Sequence, residues 1–216
     1  ELITAVLSTE KNTHFTKGNL NNHIGVPLTL LQLSAEHEIA IIEMGANKPG
    51  DIQELVEIAA PTHGIITNIG RAHLEGFGSL EGVIQTKTEM YHYIQASKGC
   101  LFYNEGDEIL KKHLPIDIPT ASYGVNGEIS GELIQLTPFV EMNWKEGDYT
   151  SPLLKTQLIG EYNFINFLAA IRIGRYFGIS KENCSKAIEA YTPTNNRSQV
   201  TKTANNTVIV DELPNV

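Results

Sequence analysis

Apolar and polar positions follow two different periods along this chain, and the change of period marks the predicted elements. Leu2, Ile3, Val6 and Leu7 share one helical face at the start of the sequence. No Ser, Thr, Asp or Asn stands ahead of them as a helix cap. We therefore expect a helix that is entered part-way, in a chain that is a piece of something longer.

From residue 38 onward, short apolar runs predict strands and amphipathic stretches between them predict helices. The run from Ile39 to Ile42 is typical of a parallel strand that is buried on both faces. Asp51, with Glu54 three residues later, predicts the capping box of a helix that ends near Pro61. The elements predicted next are a strand at 64–69, a loop at 70–78, a helix at 80–93 and a strand at 99–103.

The middle of the chain, 119–158, holds short alternating stretches separated by Gly and Pro. Glu146-Gly147-Asp148 predicts a hairpin turn there, so we expect an antiparallel β-insert. Helices follow at about 161–177 and 180–191, and a last strand at 207–210. Strands that alternate with helices predict an α/β fold, a mostly parallel sheet flanked by helices, with the small antiparallel insert added to it.

Composition and charge exclude some classes of function. The 216 residues suit one large domain, and 41% of them are apolar, which is enough for a buried core. The net charge of -9 argues against a nucleic-acid partner, although a small nucleotide can still bind through local donors and a metal ion. Cys100 and Cys184 are expected to be unpaired thiols of a cytoplasmic protein. No apolar run approaches the roughly 18 residues of a membrane span, and Glu1 begins no signal peptide.

Polar side chains follow two of the predicted strands, at the edge of a parallel sheet where ligands bind. Glu43 closes the strand at 39–42, and His73 comes four residues after Ile69. If these strands are neighbours, a carboxylate and an imidazole converge on one crevice, and Mg²⁺ on substrate phosphates would suit them. The alternative is that Glu43 caps the next loop and that His73 lies in a surface loop.

Lys87 interrupts an apolar helical face formed by Leu80, Ile84 and Tyr91. A lysine in this position either extends its ammonium group to the edge of the helix or has a lowered pKa and a chemical role. A neutral amine can react with CO₂ to give a carbamate, which is an anion that can bind a metal ion.

Amide side chains are concentrated at 16–27 and again at the start of the helix at 161–177. The first segment suits sugar hydroxyls and phosphate oxygens, or is an ordinary turn with local Asn capping. Asn163 and Asn166 are three residues apart and face the same way, so they either bind a base edge or satisfy nearby backbone groups. Arg197 is a candidate phosphate clamp, or an exposed arginine with no special role.

Five stretches together resemble the Mur ligase family: TKGNLNNHIGVPLTLLQL at 16–33, EMGANKPGDI from Glu43, ITNIGRAHLEGFGSLEGV from Ile66, GEYNFINFLAA from Gly160 and NRSQ from Asn196. Several long matches in the family order are more specific than any single motif. The resemblance implies that residues 1–211 form the family's central ATP-binding domain, truncated before its start, with 212–216 as a tail of uncertain origin.

The resemblance also implies a reaction in peptidoglycan precursor synthesis. GNLNNHIGVPLTLL is most similar to family members whose substrates are UDP-MurNAc-tripeptide and D-alanyl-D-alanine. ATP would phosphorylate the terminal carboxylate of the tripeptide, and the amine of D-alanyl-D-alanine would attack the acyl phosphate. Mg²⁺ would offset charge on the transferred phosphoryl group.

By this resemblance, Glu43 and His73 are Mg²⁺ ligands, and Lys87 is the lysine whose carbamate supports a second metal ion. These three residues are also the implied catalytic set. The implied nucleotide contacts are Asn163 to adenine, Asn166 in support of Asn163, Arg197 to the nucleotide and Asp211 to the ribose. The implied substrate-binding residues are Lys17, Asn19, Asn21 and Asn22.

The sequence departs from the family pattern in three places. The family has a Walker-type loop ending in G-K-T ahead of the helix that Glu1 enters, whereas no Gly is followed by Lys here. Tyr162 stands where a histidine usually precedes the adenine-contacting asparagine, and the residues after Asp211 do not continue as D-x-Y-N-A-N-P. We therefore expect the family's amino- and carboxy-terminal domains to be missing partners, and the chain alone to be inactive.

Two alternatives remain open at this point. One is another amide ligase of the same superfamily, acting with a different amino acid or on polyglutamyl folate. The other is a non-catalytic domain that keeps the scaffold and binds a partner or a nucleotide without turnover. The apparent loss of the phosphate loop favours the second, whereas Glu43, His73 and Lys87 argue against it.

Overall fold

The computed structural model of the chain describes residues 1–70, 74–193, 199–202 and 207–210. Contacts divide the described residues into two compact units. The parallel-strand unit is Lys11–Ser122, and the hairpin unit combines Glu1–Glu10 with the described residues from Tyr123 onward. The predicted α/β class is confirmed, because parallel pairing prevails in the first unit and antiparallel pairing in the second.

The elements, in chain order, are α1 (Leu2–Leu7), β1 (Thr13–Phe15), α2 (Gly25–Leu30), β2 (Ile39–Ile41), α3 (Asp51–Ala59), β3 (His63–Ile65), α4 (Leu74–Phe77), α5 (Leu80–Ala96), β4 (Cys100–Asn104), α6 (Glu108–Lys112), β5 (Thr120–Tyr123), β6 (Ile129–Gln135), β7 (Glu141–Glu146), β8 (Tyr149–Thr150), β9 (Leu154–Lys155), α7 (Tyr162–Tyr176), α8 (Lys181–Ala190), β10 (Gln199–Lys202) and β11 (Thr207–Val210).

Parallel strand pairs organise the parallel-strand unit. β1 pairs with β2, with Thr13 opposite Ile39, and β3 pairs with β4, with His63 opposite Cys100. The prediction of a strand at 39–42 is confirmed, but its burial on both faces is wrong: Ala40 is exposed and its two neighbours are half-buried. The physical reason is that, within the described ranges, β2 has a strand partner on one side only.

Helix α3 begins where the sequence predicts it, but its cap differs from the prediction. Asp51 is the first helical residue, and the N-cap is Gly50 in the left-handed region, with φ of 87°. The Asp51 carboxylate instead accepts hydrogen bonds from the backbone N–H groups of Asn47 and Lys48, at 2.8 and 3.1 Å. The carboxylate that receives the N–H groups at the helix start comes from Glu89 of α5, as described below.

Helix α5 is the central packing element of the parallel-strand unit. It begins at a side-chain cap, where the Ser79 hydroxyl accepts from the N–H of Gly82 at 3.1 Å. Tyr91 and Ile94 are fully buried against the residues of β4 and the segment after β3. Met90 packs closely on β3, since a Cβ added at Gly64 would lie 3.0 Å from its sulfur atom. Burial of this face, at roughly 1.5–3 kcal/mol for each large apolar side chain, fixes the helix on the sheet.

Other predicted boundaries in this unit shift by several residues. The strand predicted at 64–69 ends at Ile65, and the loop predicted at 70–78 contains the short helix α4. The amide-rich segment at 16–27 is a loop only as far as Ile24, since α2 begins at Gly25. Neither β1, α2 nor α6 of this unit was predicted from the sequence, and β10 of the other unit was not predicted either.

The antiparallel insert predicted at 119–158 is confirmed in the hairpin unit. β7 pairs antiparallel with β6, β8 and β9. The predicted hairpin turn is present, with Glu146 opposite Tyr149 and Gly147 at φ of 57°. Trp144 is fully buried, and its indole N–H donates to the Ser185 hydroxyl at 2.9 Å, which ties β7 to α8. The insert is therefore anchored by a satisfied buried hydrogen bond.

The structure also places the two cysteines and gives the lengths of the helices. Cys100 and Cys184 are buried and form no disulfide, and burial raises the pKa of the Cys184 thiol to about 12, so it stays protonated. Throughout the described part of the chain, the helices are too short or too polar to cross a bilayer.

Candidate functional site

Three loops meet in the parallel-strand unit, and each follows the carboxyl end of a strand: β1, β2 and β3. The hydroxyl of Thr16, directly after β1, accepts a hydrogen bond from the backbone N–H of Glu43 at 2.9 Å. Asn21, in the same loop, donates from its side-chain amide to a carboxylate oxygen of Glu43 at 2.8 Å. Glu43 is therefore held through its backbone and its side chain by the loop that precedes it.

Close approach of these segments leaves little room for a side chain at Gly45 and none at Gly76. A Cβ added at Gly45 would lie 3.0 Å from the Asn21 side chain, and the Gly45 N–H donates to the Asn21 carbonyl at 2.7 Å. A Cβ added at Gly76 of α4 would lie 2.0 Å from the Asn47 carbonyl oxygen. The loop after β1 thus contacts the loop after β2, and α4, which follows β3, packs against that same loop. The convergence of Glu43 and His73 on one crevice stays a prediction.

The carboxylate of Glu43 has features that suit a metal ligand. Its side chain is exposed, and only one of its two carboxylate oxygens accepts the bond from Asn21. Within the described residues its other oxygen has no hydrogen-bond partner. An exposed carboxylate with a free oxygen suits a hard ion such as Mg²⁺, which takes one or two protein carboxylates and keeps several waters.

Lys87 lies on the inward face of α5, as predicted, between buried Ile84 and Tyr91. Its ammonium group donates to the backbone carbonyl of Asn68, in the loop after β3, at 2.9 Å. The side chain is half-buried, and this desolvation lowers the pKa of Lys87 below 10.5. The lowered pKa agrees with the second of the two predicted alternatives, and the chemical role of Lys87 stays a prediction.

A carbamate at Lys87 is compatible with this geometry. Lowering the pKa increases the fraction of neutral amine, which is the form that adds CO₂ and releases a proton. A carbamate nitrogen keeps one N–H, so the hydrogen bond to the Asn68 carbonyl survives the modification. The new carboxylate would then lie beyond that nitrogen, at the carboxyl-end loop of β3.

Glu43 and Lys87 belong to segments that share one core. Ile42 and Met44, on either side of Glu43, pack against the apolar cluster of α3, and so does Met90 of α5, three residues after Lys87. Strand pairing itself does not make β2 and β3 neighbours, because β2 pairs with β1 and β3 with β4. Packing, and not strand adjacency, is what relates the two candidate ligands.

His73 lies outside the described residues, between Gly70 and α4, so its predicted role stays a prediction. Within the described part, no group of three or more His, Cys, Asp and Glu side chains is placed to hold a metal ion. A metal centre here would therefore depend on Lys87 and on residues such as His73.

The predicted substrate residues divide into exposed and structural ones. Lys17 and Asn19 are exposed, Asn21 is half-buried and holds Glu43, and the Asn22 side chain accepts from the backbone N–H groups of Ile24 and Gly25 at 3.1 and 2.9 Å. Asn22 thus satisfies the start of α2, which is the local capping that the sequence analysis kept as an alternative.

In the hairpin unit, Asn163 is 5% exposed at the start of α7. Its amide donates to the Ile159 carbonyl at 2.7 Å, and its carbonyl oxygen accepts from the Asn166 amide at 3.3 Å. One donor of the Asn163 amide therefore satisfies a nearby backbone group, and Asn166 binds Asn163. The contact of Asn163 with adenine stays a prediction. Arg197 and Asp211 lie outside the described residues.

Three residues that make hydrogen bonds around the site were not predicted individually from the sequence. Thr16 lies within the quoted TKGNLNN stretch, which was the available signal. Asn68 contributes a backbone carbonyl, which no side-chain pattern reveals. Glu89 looks like a solvated helical glutamate in the sequence, yet it binds two backbone N–H groups of another element.

Comparison with known proteins identifies a family. Residues 1–174 match the model of the Mur ligase middle domain. The UDP-N-acetylmuramoyl-tripeptide–D-alanyl-D-alanine ligase of Bacillus subtilis is 34% identical over 220 residues, which cover 100% of this chain and 46% of that protein. The chain thus spans about half the length of the curated relatives it matches.

Solved structures agree with this match. A crystal structure of MurF from Acinetobacter baumannii superposes with a TM-score of 0.86 at 30% identity, covering 97% of this chain and 47% of that one. MurF ligase from Thermotoga maritima, solved in complex with ADP, superposes with a TM-score of 0.84 at 24% identity, covering 97% of this chain and 49% of that one. The second likeness concerns the fold alone.

Proposed function

Because this chain belongs to the Mur ligase family, of which it carries the middle domain, we propose that it is the ATP-binding part of a ligase that adds D-alanyl-D-alanine to UDP-MurNAc-tripeptide. The domain extends over residues 1–211 in this proposal, beyond the 1–174 matched by the family model. The remaining half of the relatives' length corresponds to the amino- and carboxy-terminal domains, which we expect to be needed for activity. The two cysteines, which form no disulfide with each other, support a cytoplasmic setting.

The proposed reaction has two steps. The terminal carboxylate of the tripeptide attacks the γ-phosphorus of ATP, the bond to the bridging oxygen breaks, and ADP leaves. The neutral amine of D-alanyl-D-alanine then attacks the acyl phosphate carbon, phosphate leaves with the former acyl oxygen, and the nitrogen loses a proton to give the amide. Phosphorylation is needed because a free carboxylate has no adequate leaving group.

Glu43 and Lys87 are proposed to hold the metal ions of this reaction, together with His73. The observation that carries the proposal is the pair formed by Glu43, with a free carboxylate oxygen, and Lys87, with an ammonium pKa lowered by burial, on elements that share one core. Mg²⁺, when bound, would supply charge that stabilises the transferred phosphoryl group. The chain's own part is to fix these side chains beside the strand ends.

In the hairpin unit, we propose that Asn163 contacts the adenine of ATP with support from Asn166. The family resemblance supports this assignment, and so does the hydrogen bond by which the Asn166 amide binds the side-chain oxygen of Asn163 at the start of α7. Arg197 and Asp211 are proposed nucleotide contacts on the strength of the family resemblance. Lys17, Asn19 and Asn21 are proposed to lie beside the muramoyl-peptide, with Asn22 shaping their loop.

The test is an assay of ADP release by the full-length protein, with UDP-MurNAc-tripeptide, ATP and Mg²⁺, comparing D-alanyl-D-alanine with single amino acids as the acceptor. We expect turnover with the dipeptide only, and none from the isolated 216-residue chain. Lys87→Ala should lose most of the activity and regain part of it with added short carboxylates, which replace the carbamate. The matched control is Lys112→Ala, which removes an exposed lysine at the end of α6.

Each contrary outcome has a definite meaning. Turnover with another amino acid, or with a folate substrate, would assign the chain to a different ligase of the superfamily. ATP binding without any turnover in the full-length protein would favour the non-catalytic alternative. An unchanged rate for Lys87→Ala would remove Lys87 from the mechanism.

A further inference from the structure

The carboxylate of Glu89 connects two helices of the parallel-strand unit. Glu89 lies on α5, and one of its oxygens accepts from the backbone N–H of Gly50 at 2.9 Å. Its other oxygen accepts from the backbone N–H of Gln53 at 2.8 Å. These are the N-cap and the third residue of α3, so a side chain from α5 satisfies the N-terminus of α3.

Nothing within α3 performs this role. Its N-cap, Gly50, has no side chain, and Asp51 is turned back toward Asn47 and Lys48. Unpaired N–H groups at a helix start carry a partial positive charge, which a carboxylate stabilises more than a neutral acceptor does. The two oxygens of Glu89 take two of these N–H groups at once.

The contact extends to the loop of Glu43. Asp51, directly after Gly50, binds the backbone of Asn47 and Lys48, and that segment continues back to Glu43 through residues 44–46. On its other side the Asn47 carbonyl packs against Gly76 with no room for a side chain. The loop is therefore held at its far end by α5 and along its length by α4.

We propose that Glu89 is a positioning residue that ties α5, the helix of Lys87, to the loop of Glu43. Glu89 and Lys87 are two residues apart, so they project from different sides of α5, and Glu89 acts through the backbone of α3. This inference rests on the proposed function, since it assumes that Glu43 and Lys87 serve one metal centre. In this view the distance between Glu43 and Lys87 depends on the carboxylate of Glu89, which lies outside the metal centre.

The decisive substitution is Glu89→Gln, tested in the full-length protein. A glutamine keeps the size of the side chain and one acceptor oxygen, but it turns an NH₂ group toward the second backbone N–H. We expect the Mg²⁺ concentration for half-maximal activity to rise about tenfold, as for other residues that orient metal ligands. Hydrogen exchange of the peptide 43–53 should also become faster, which is a readout independent of activity. Glu89→Asp, which keeps the carboxylate, should bring both the Mg²⁺ requirement and the exchange rate part of the way back to the wild-type values.

The matched control is Glu81→Gln. Glu81 is an exposed glutamate in the first turn of the same helix. Among the described residues, its side chain accepts a hydrogen bond from the Gln85 amide alone, at 3.3 Å. The control should leave both the Mg²⁺ dependence and the exchange of 43–53 unchanged.

The outcomes separate this inference from the proposed function. If Glu89→Gln lowers the melting temperature but leaves the Mg²⁺ dependence and the exchange of 43–53 as in the wild type, Glu89 is merely structural and the inference is wrong. If Glu43→Gln and Lys87→Ala are fully active, the proposed metal centre itself fails. If those two variants are inactive while Glu89→Gln keeps the wild-type Mg²⁺ dependence, the function stands and the positioning role falls.

Discussion

The side-chain amide of Asn21 donates a 2.8 Å hydrogen bond to the carboxylate of Glu43, across two loops that follow neighbouring parallel strands. The bond uses one carboxylate oxygen and leaves the other toward solvent. Since a ligand that is oriented by an outer partner binds its metal more tightly, Asn21 belongs to the support of the candidate site. The resemblance alone placed Asn21 beside the substrate, and the contact gives it a second role.

Asn21→Ala should weaken the binding of Mg²⁺ to the full-length protein. The variant removes the donor but leaves the Thr16 contact with the Glu43 backbone in place, so the loop persists while the carboxylate rotates more freely. We expect the half-saturating Mg²⁺ concentration to rise about tenfold. Titration of activity with Mg²⁺ measures this. Asn12→Ala is the control, because it also removes an exposed amide bonded to a neighbouring segment; equal Mg²⁺ curves for the two variants would argue against the role of Asn21.

Lys87 should make the stability of the chain depend on pH in the alkaline range. Burial lowers the pKa of Lys87 in the folded chain below 10.5, its value in the unfolded chain. At a pH between the folded and the unfolded pKa, the unfolded chain therefore binds more protons than the folded one. The free energy of unfolding therefore rises with pH through that window, and below the lowered pKa the cost of burying the cation is fully present. Replacing Lys87 with Met should remove this rise.

Urea unfolding of the wild type and Lys87→Met, from about pH 7 to about pH 10, measures the effect. With rising pH, the free energy of unfolding should increase for the wild type relative to the variant. The control is Lys111→Met, because Glu105 raises the pKa of exposed Lys111. Any stabilisation from that pair persists below 10.5, so the difference in free energy of unfolding between wild type and Lys111→Met should not change with pH in the window. Parallel pH profiles for wild type and Lys87→Met would contradict a lowered pKa.

Asn163→Ala should weaken ATP binding by about 1–3 kcal/mol if its amide contacts the base in a buried setting. Calorimetry with ATP on the full-length protein measures this loss. The substitution also removes the bond to the Ile159 carbonyl, so the melting temperature must be recorded beside the affinity. Asn183→Ala, which removes an amide bonded to Glu10 near the start of α8, is the control for stability. Equal ATP affinity in all three proteins would reject the adenine contact.

The sequence predicted the elements whose pattern is strong over many residues. The apolar face of α5, the long helix α7 and the Gly147 hairpin were found because periodicity and turn chemistry are local properties. The position of Lys87 on the inward face was predicted for the same reason. Short elements such as β1 and α6 were missed, since three to five residues show no period.

The parts of the site that were not predicted depend on tertiary contacts. Asp51 and Glu54 have the sequence of a capping box, but the N-cap is Gly50, and Glu89 of another helix accepts from the N–H groups of Gly50 and Gln53 at the helix start. The Asn68 carbonyl that accepts from Lys87 is a backbone group, so its identity carries no signal. The exposure of Ala40 depends on which strands flank β2, which is a property of the whole sheet.

The N-terminus of α3 also limits where a phosphate can sit. Helix starts are common anion sites, because their free N–H groups and positive dipole end suit phosphate oxygens. At α3 the protein's own carboxylate already fills that place. A phosphate group arriving there would have to displace Glu89 and would meet its negative charge. The triphosphate of ATP in the proposed reaction therefore needs donors other than the start of α3, because a carboxylate of the protein itself blocks that position.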